Sequence, residues 1–372
     1  MGGIVVQACT VHLAFTNPSY KAPNDNGRVS MRNRIHPHRA ARNLLLAAGC
    51  SACAGIVSAQ AVRPETGALL GLQRQTDMIF VHGLDDRGDG TANQGKGSWL
   101  RGFGQGSKST SDSSLYDVDG KSWGLQGGFD LPGPPRLQNW RFGVMGSYGG
   151  VRADGTAAGT SATSQGRGDG YGLGFYGTWF QDPARRLGWY ADLWGHYAWF
   201  DNHVDTTGLA RNDYKSHNTT GSAEAGYAIG LGDAGGWALT PQLQWVYIHN
   251  HSYNFIESDG TQVEGAHRGG WSSRLGLRIQ RAAAPGGSDA LEQAVLRPYA
   301  AINWWHDASG DEVVYAKTLS YKDLYPKDRF ELKGGAGVAF GRQWSGWGEL
   351  GWQTGSQSYS AWTASLGARY RW

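Results

Sequence analysis

The chain ends with the stretch Ser-Ala-Trp-Thr-Ala-Ser-Leu-Gly-Ala-Arg-Tyr-Arg-Trp, residues 360–372. Apolar or aromatic residues stand at every second position, and the last of them is the C-terminal residue itself. They are Trp362, Ala364, Leu366, Ala368, Tyr370 and Trp372. Residues two apart lie on the same face of a β-strand, so this pattern predicts a strand with one apolar face. A soluble β-sandwich could also end in such a strand, and the rest of the chain has to decide.

The amino-acid composition favours β-structure and argues against several other classes. The 372 residues include 58 glycines, 17 tryptophans, 17 tyrosines and 11 phenylalanines, and the net charge is only +3. Glycine is therefore about twice as frequent as usual. Disordered segments are poor in aromatic residues, and so weak a net charge does not favour a nucleic-acid partner. No apolar run reaches the roughly 18 residues that a transmembrane helix needs.

Residues 31–61 have the layout of a signal peptide. Several arginines after Met31 are followed by the apolar stretch Leu44–Val57 and then by a small-x-small site that ends at Ala61. This order predicts export, with cleavage after Ala61. A short buried helix is the alternative. We interpret residues 1–30 as an extension that comes from a mis-annotated start, with Met31 as the true start.

The cysteines support export. The chain has three of them, Cys9, Cys50 and Cys53, and none from Ala54 onward. A folded part without cysteine fits passage through an oxidising compartment. Because Gly49 precedes Cys50, a lipoprotein site at Cys50 is an alternative to cleavage after Ala61.

A helix and a series of strands follow the signal. Pro64–Asp85 predicts a helix, because proline suits the first turn and Glu65 complements the helix dipole. Residues 62–97 are thus predicted as a helix and a linker. From Ser98 to the C-terminus the apolar period is two. The predicted strands are 98–106, 122–131, 140–151, 169–181, 188–204, 219–232, 237–254, 270–281, 297–307, 328–341, 346–354 and 360–372.

The connections between these strands alternate roughly between short and long. Residues rich in Gly, Asp, Asn, Ser and Pro form both kinds. The predicted short turns are 131–135, 181–184 and 231–235, and the predicted long loops are 153–168, 205–218 and 252–269. Short turns at one end and long loops at the other are typical of outer-membrane barrels.

The strand predicted at 188–204 has an apolar face that begins and ends with aromatic residues. Trp189, Leu193, Tyr197 and Trp199 lie on this face. About ten steps of 3.3 Å, tilted by about 40°, span the apolar band of roughly 25 Å in an outer-membrane barrel. We therefore predict Trp189, Tyr197 and Trp199 as members of an aromatic girdle.

The opposite faces of the strands are rich in glycine and carry charged residues. Asp192, Glu224, Arg274 and Arg278 lie on these faces and are candidates to line the lumen of a barrel. Glycines on the same faces leave room for something inside that lumen. Together with the export signal and the aromatic strand ends, this pattern favours a membrane barrel over a soluble sandwich.

Short stretches from residue 62 to the C-terminus carry a resemblance to a known family, in order along the chain. They are Val62–Ala68, Trp140–Gly149, Asp169–Tyr171, Tyr176–Trp179, Trp194–Asn202, Pro241-Gln242, Arg274–Gly276, Pro298-Tyr299, Asn303-Trp304, Trp347-Gly348 and Leu366–Trp372. They resemble the β-domain of autotransporters, the translocator of type V secretion, in its diffusely adhering adhesin-like branch.

The resemblance implies an all-β fold, a twelve-stranded antiparallel transmembrane β-barrel over 98–372 with the Pro64–Asp85 helix in its lumen. It also implies a place in the outer membrane of a Gram-negative bacterium and a role in anchoring and moving a passenger polypeptide to the cell surface. The outer-membrane assembly machinery would act on the last strand. We therefore predict an assembly signal formed by Leu366, Ala368, Tyr370 and Trp372.

The chain departs from this family because the predicted signal ends at Ala61 and the helix begins at Pro64. This leaves almost no room for a passenger. A stand-alone pore or structural barrel with a helix plug is therefore the alternative function. The expected partners are outer-membrane lipid and lipopolysaccharide, the assembly machinery and, where one exists, a passenger. We expect a monomer that binds no nucleic acid.

Catalysis, cofactors and metals are not predicted. Asp192 and Glu224 are the inward acids that could cut a passenger, but lumenal carboxylates more often pair with arginines. His249 and His251 share one strand face, yet no third metal ligand has a defined spacing. The glycine-rich stretches do not lead into a helix, as a phosphate-binding loop would. No Gly-x-Ser-x-Gly motif with an accompanying helix indicates a hydrolase. A catalytic site on the barrel rim, near His203, is the remaining enzymatic alternative.

Overall fold

The computed structural model of the protein describes residues 62–88, 96–132, 135–232, 236–264, 267–281, 295–308, 312–317, 319–322, 324–340 and 343–372. The predicted extension at 1–30 and the predicted signal peptide at 31–61 lie outside these residues. Most of the predicted linker does so as well.

The helix α1 runs from Glu65 to Met78, and a single 3₁₀ turn follows at Asp85–Arg87. The prediction of a helix as far as Asp85 is wrong, because the backbone after Met78 bonds to other parts of the molecule. The carbonyl of His82, for example, accepts a hydrogen bond of 3.2 Å from the indole of Trp194. Within the described ranges, no helix is both long and apolar enough to span a membrane.

Twelve long strands form one closed antiparallel barrel. They are β1 Gly97–Thr110, β2 Tyr116–Asp130, β3 Trp140–Ala157, β4 Thr163–Phe180, β5 Gly188–Thr206, β6 Asn212–Leu231, β7 Trp237–Ser252, β10 His267–Arg281, β11 Val295–Asp307, β14 Asp328–Phe340, β15 Trp344–Gly355 and β16 Ser360–Arg371. Each overlaps one predicted strand. Four short strands form a separate sheet: β8 Phe255–Ile256, β9 Gln262–Glu264, β12 Glu312–Tyr315 and β13 Leu319–Lys322.

The barrel closes where the first strand pairs with the last. The β1–β16 ladder runs from Gly97 opposite Arg371 to Lys108 opposite Ser360. We call the end of the barrel where β1 begins and β16 ends the terminal end, and the opposite end the loop end. The connections that carry the four short strands lie at the loop end, because they join β7 to β10 and β11 to β14.

The strands extend further towards the loop end than predicted. β3 and β4 leave only residues 158–162 between them, and β5 and β6 leave only 207–211. The prediction of long loops at 153–168 and 205–218 is therefore wrong. On these extensions the outward side chains are polar or charged, as on β2, where the exposed Asp117, Asp119 and Lys121 precede the apolar band. A strand that continues past the membrane loses its apolar face, and with it the signal that identifies a strand.

The helix α1 lies against the inner wall formed by β2, β3 and β4. Leu70 and Leu72 are almost fully buried, and they share an apolar cluster with Val118. Close approach of helix and wall requires glycine at Gly71, because a Cβ there would stand only 2.8 Å from the Cβ of Ala153. On the wall, a Cβ at Gly155 of β3 would stand only 2.7 Å from the backbone nitrogen of Ala68, which agrees with the expectation that glycines on the inward strand faces make room for something in the lumen.

A charge on the outer face should destabilise the barrel only within the apolar band. Leu366 points outward from β16 with 72% of its surface exposed. Arginine at mid-membrane costs about 2–4 kcal/mol, so Leu366→Arg should lower the free energy of unfolding from lipid vesicles by that amount. Denaturant titration measures it.

The control for this variant is Thr156→Arg, an exposed outward position near the loop-end tip of β3. It should change the unfolding free energy by less than about 1 kcal/mol, because the cost falls off towards the interface. Equal costs at the two positions would contradict the assignment of the apolar band.

Candidate functional site

The lumen holds the chain segment that follows α1, and charged pairs tie it to the wall. Glu224 and Arg274, both predicted as lumenal, form an ion pair at 3.0 Å inside the barrel. Glu224 also accepts hydrogen bonds from the hydroxyl of Tyr190 at 2.8 Å and from the backbone N–H of Leu84 at 3.1 Å. The Glu224 carboxylate, which belongs to β6, thus links β5 and β10 of the wall to the segment in the lumen.

The other predicted lumenal acid, Asp192, pairs with a residue of the lumenal segment. Its partner is Arg87, and neither side chain is exposed. The hydroxyl of Thr178 donates to the same carboxylate oxygen at 2.6 Å, and the Arg87 guanidinium lies 4.4 Å from the centre of the Tyr176 ring. Asp192 is therefore an anchor for Arg87, which agrees with the expectation that lumenal carboxylates pair with arginines.

Two acids of the segment itself reach different strands of the wall. Asp85 pairs with the predicted lumenal residue Arg278 at 3.3 Å. Asp86 faces Lys333 at 3.4 Å and Arg101 at 3.7 Å. All four predicted lumenal residues thus contact segment 84–88 or another residue that contacts it.

Sequence reasoning missed three members of this network, namely Arg87, Arg101 and Lys333. Arg87 lies in a short stretch rich in glycine and aspartate, which was assigned to a linker. Arg101 and Lys333 lie on strand positions whose inward direction the local apolar alternation does not reveal. Charge balance offered the only signal, because the lumenal acids needed cationic partners in a buried place.

Polar contacts also hold the helix itself. The amide nitrogens of Asn218 and Asn250, on β6 and β7, donate to the carboxylate of Asp77 at 3.0 Å and 2.6 Å. On another side, Arg74 pairs with Asp307 of β11 at 2.6 Å. Asparagines from two adjacent strands and an aspartate from a third therefore hold the C-terminal half of α1. They fix its rotation about the helix axis and its position along the lumen.

The N-terminus of α1 is clamped at the loop end by a group that we call the mouth latch, consisting of Arg63, Glu65, Glu257 and Tyr315. Arg63 forms ion pairs with both Glu65 and Glu257. Its guanidinium lies 4.8 Å from the centre of the Tyr315 ring, and the Tyr315 hydroxyl is 2.9 Å from Thr66 Oγ1. The small loop-end sheet and its flanking residues thus fold over the start of the helix.

One cation serves two carboxylates in the mouth latch. Burial, followed by the neighbouring Glu65 carboxylate, raises the pKa of Glu257 to about 7. Arg63 acts in the opposite direction and lowers it. The charge of the latch is therefore expected to change near neutral pH.

A cavity of about 130 Å³ remains beside α1, on the side of β1 and β14–β16. Charged side chains line it, among them Arg101, Lys333 and Glu349. A helix with its side chains is about 10 Å across, so this cavity does not admit a second helix. The lumen is filled by the protein's own chain.

The predicted girdle and assembly residues all lie on the outer wall or at its edge. Trp189 and Trp199 are exposed, and Tyr197 packs on Trp199 with ring centroids 4.6 Å apart. On β16, Leu366 and Ala368 are exposed, as is Trp372 directly after it. Tyr370 packs on Trp344 with ring centroids 4.9 Å apart. These positions suit the predicted roles, which stay predictions.

The fold and the lumenal helix can now be compared with known proteins. The family model of the autotransporter β-domain matches residues 98–351, well over half of the chain. The chain belongs to the autotransporter β-domain family. The barrel is accordingly an outer-membrane β-barrel of a Gram-negative bacterium, of the translocator type, as the resemblance implied.

Two curated relatives differ in how much of their length this β-domain covers. This chain is 28% identical to the protein YdeU of Escherichia coli K12 over 330 residues, which are 83% of this chain and 70% of YdeU. It is 24% identical to the autotransporter adhesin AIDA-I of Escherichia coli over 335 residues, which are 83% of this chain but only 25% of AIDA-I. The match to AIDA-I thus concerns one part of that longer protein.

A solved structure confirms the fold. The crystal structure of the transport unit of AIDA-I matches with a TM-score of 0.74 at 23% identity, over 83% of this chain and 99% of that structure. The predicted all-β fold with a twelve-stranded barrel is thereby confirmed. The family consists of transport units rather than enzymes.

Breaking the Arg87–Asp192 pair should release the lumenal segment. Removing one partner of a buried ion pair typically costs about 3–5 kcal/mol, and here the closed position of the segment loses that stabilisation. Asp192→Asn should therefore show frequent openings in single-channel recordings from planar bilayers, whereas the unchanged protein stays mostly closed.

Two variants control this experiment. The double variant Arg87→Met/Asp192→Leu removes both charges and should be mostly closed again, because apolar side chains can replace a buried pair. Asp213→Asn changes an exposed aspartate on β6, with 74% of its side chain accessible, and should behave as the unchanged protein. Silent recordings from Asp192→Asn would contradict the role of this pair.

The mouth latch should be tighter in mild acid than in mild base. An unfolded glutamate titrates near 4.3, whereas the pKa of Glu257 is about 7, so the closed latch binds the proton more tightly. Its stability is full below about pH 4.3 and is lost as the pH rises through 7. Hydrogen-exchange protection at Thr66–Ala68 should therefore fall between pH 5.5 and pH 8.

Glu257→Gln should remove this difference in protection, because the side chain no longer titrates. Asp259→Asn is the control, since that carboxylate is 43% exposed and only 3.4 Å from the same arginine. It should leave the difference in place. Protection that rises with pH in the unchanged protein would disprove the assignment.

Proposed function

We propose that this β-domain anchors in the outer membrane and moves to the cell surface a passenger polypeptide joined ahead of Val62. The observation that carries the proposal is the direction of the chain in the lumen. α1 begins among residues of the loop end and the chain continues to β1, which begins at the terminal end. A passenger joined ahead of Val62 would therefore emerge at the loop end.

The loop end is assigned to the cell surface on physical grounds. Outer-membrane barrels have short periplasmic turns and longer extracellular loops, and the longest connections among the described strands join β7 to β10 and β11 to β14. Charged extensions of β2 to β6 stand beyond the apolar band at the same end. The terminal end then faces the periplasm, where the assembly machinery would meet β16.

The filled lumen supports the interpretation of this structure as the resting state of the barrel, after transport. The mouth latch, the Asp77 contacts and the charges around 84–88 hold one chain segment along the lumen. Such a segment seals the pore after a polypeptide has passed. Lipid and lipopolysaccharide would contact the exposed outer residues, of which Trp189 and Trp199 would stand at the boundaries of the apolar band.

An epitope placed immediately before Val62 tests the orientation. Antibodies should label it on intact cells, and external protease should remove it. The same epitope added after Trp372 is the matched control and should stay protected until the outer membrane is opened. Labelling of the C-terminal epitope alone would overturn the proposal.

The plug equally supports a second candidate, a stand-alone barrel that transports nothing. A long unstructured segment inserted before Val62 separates the two. A translocator should bring the whole segment to the surface, whereas a stand-alone barrel should leave it in the periplasm or fail to assemble with it.

A further inference from the structure

Three cationic side chains form a row across adjacent strands on the outer wall, near the loop end. They are Lys121 of β2, Arg152 of β3 and Arg167 of β4. The register places Arg152 directly opposite both Lys121 and Arg167. Lys121 and Arg167 are exposed, and 42% of the Arg152 side chain is accessible. We call these three residues the cation row.

Like charges placed directly opposite each other weaken the pairing of two strands. Cross-strand partners have Cβ atoms about 4.5–5.5 Å apart, so their charged groups repel each other. The cation row contains two such pairs, Lys121–Arg152 and Arg152–Arg167. An anion between these side chains removes the repulsion. The arrangement therefore becomes favourable when a negatively charged partner lies against the wall.

Both guanidinium groups of the row are held in place through their Nε atoms. Arg152 Nε donates to the Asp154 carboxylate at 2.9 Å, and Arg167 Nε donates to Gln165 Oε1 at 2.7 Å. The amide nitrogen of Gln165 donates in turn to Asp154 at 2.7 Å. Neither guanidinium makes a hydrogen bond or ion pair with any other described residue, so the Nη atoms are available. Two oriented guanidinium groups on adjacent strands suit phosphate, which arginine binds through paired hydrogen bonds.

Other cations pair with acids around the row. Lys108 lies 3.6 Å from Asp119, and Lys215 lies 3.2 Å from Asp201. Asp169 is exposed on the apolar-band side of the row and stays as a nearby negative charge. The row as a whole nevertheless presents more positive than negative charge to the outside.

The cation row lies beyond the apolar band. Tyr148 and Tyr171 are exposed and directly opposite each other, and such aromatic residues mark the boundary between hydrocarbon and headgroups. Arg152 and Arg167 stand four residues from them along the same strands. Four steps of about 3.3 Å, tilted by about 40°, give a height of about 10 Å. The row is thus at the level of lipid headgroups.

We propose that the cation row binds the phosphate groups of lipopolysaccharide, a phosphorylated glycolipid, against the outer wall of β2 to β4. The positive charge complements the phosphates, and the apolar band beneath the row takes the acyl chains of the same molecule. Soluble phosphate would use only the first of these contacts. The choice of a glycolipid over a phospholipid rests on the proposed function, because that proposal assigns the loop end to the cell surface.

Native mass spectrometry of the full chain in detergent micelles, titrated with lipopolysaccharide, tests the proposal. Arg152→Gln/Arg167→Gln should weaken binding at least tenfold. Lipopolysaccharide stripped of its phosphates should bind the unchanged protein as weakly as the intact glycolipid binds this variant. Inorganic phosphate at the same concentration should not compete, because it lacks acyl chains. Full competition by inorganic phosphate would contradict a lipid site.

The matched control is Arg211→Gln/Lys215→Gln, which removes two exposed cations of β6 that already pair with Asp213 and Asp201. It changes the net charge by the same amount and should weaken binding less than twofold. Asp169→Asn should strengthen binding, because a repulsive charge beside the row is lost. The heat-dependent shift in gel mobility of a folded barrel shows that each variant is folded.

Equal losses in the two double variants, or equal binding of phosphorylated and stripped glycolipid by the unchanged protein, would overturn the proposal. Both ends of the barrel are accessible in a micelle, so this result does not depend on which end faces the cell surface. The epitope experiment tests that orientation separately.

Discussion

A strand in lipid must have a hydrogen-bonded neighbour on each side, because an unpaired N–H or C=O group in hydrocarbon costs several kcal/mol. This constraint requires β1, which begins at Gly97, to pair with β16, which ends at Arg371. Closure of the sheet follows, and closure creates a lumen. The buried Asp130 adds to the seam, because it pairs with Arg369 of β16 and accepts the Gly97 N–H at 2.8 Å.

Twelve strands enclose a lumen that has to be filled. The residues that precede β1, namely α1 and the segment after it, fill this lumen. Apolar packing, such as that of the cluster containing Leu70 and Val118, supports the half of α1 nearer the loop end. Further towards the terminal end the contacts become ionic. A buried charge that loses its partner is costly, so pairs such as Arg87–Asp192 specify one position of the segment. Apolar packing would hold a helix in the lumen, and the charges define its depth.

The sequence predicted the elements that repeat and missed the ones that depend on pairing across the barrel. All twelve strands within the apolar band follow from a period of two, because lipid requires an apolar outward face. The extensions of β2 to β6 do not, because water accepts Asp117, Lys121 and their neighbours on the same outward face. Only the structure shows that these residues continue the strands.

The same distinction applies to the lumen. Asp192, Glu224, Arg274 and Arg278 were identified because each is a charge on the glycine-rich side of a strand. Their pairings were only partly predictable. Glu224 binds Arg274 two strands away, but Asp192 binds Arg87 from a segment assigned to a linker. The helix end was also misplaced, because side chains of the wall, such as Trp194, compete for its backbone.

A disulfide between α1 and the wall tests most directly whether the helix occupies the lumen. The Cβ position of Gly67 lies 3.5 Å from the Cβ of Tyr116 on β2, within the range of a disulfide. In a background with Cys9, Cys50 and Cys53 changed to Ser, Gly67→Cys/Tyr116→Cys should cross-link on mild oxidation in native membranes. Gly67→Cys/Asp117→Cys should not, because Asp117 is exposed on the outer face. Cross-linking of the second pair, or of neither, would contradict a helix held inside the barrel.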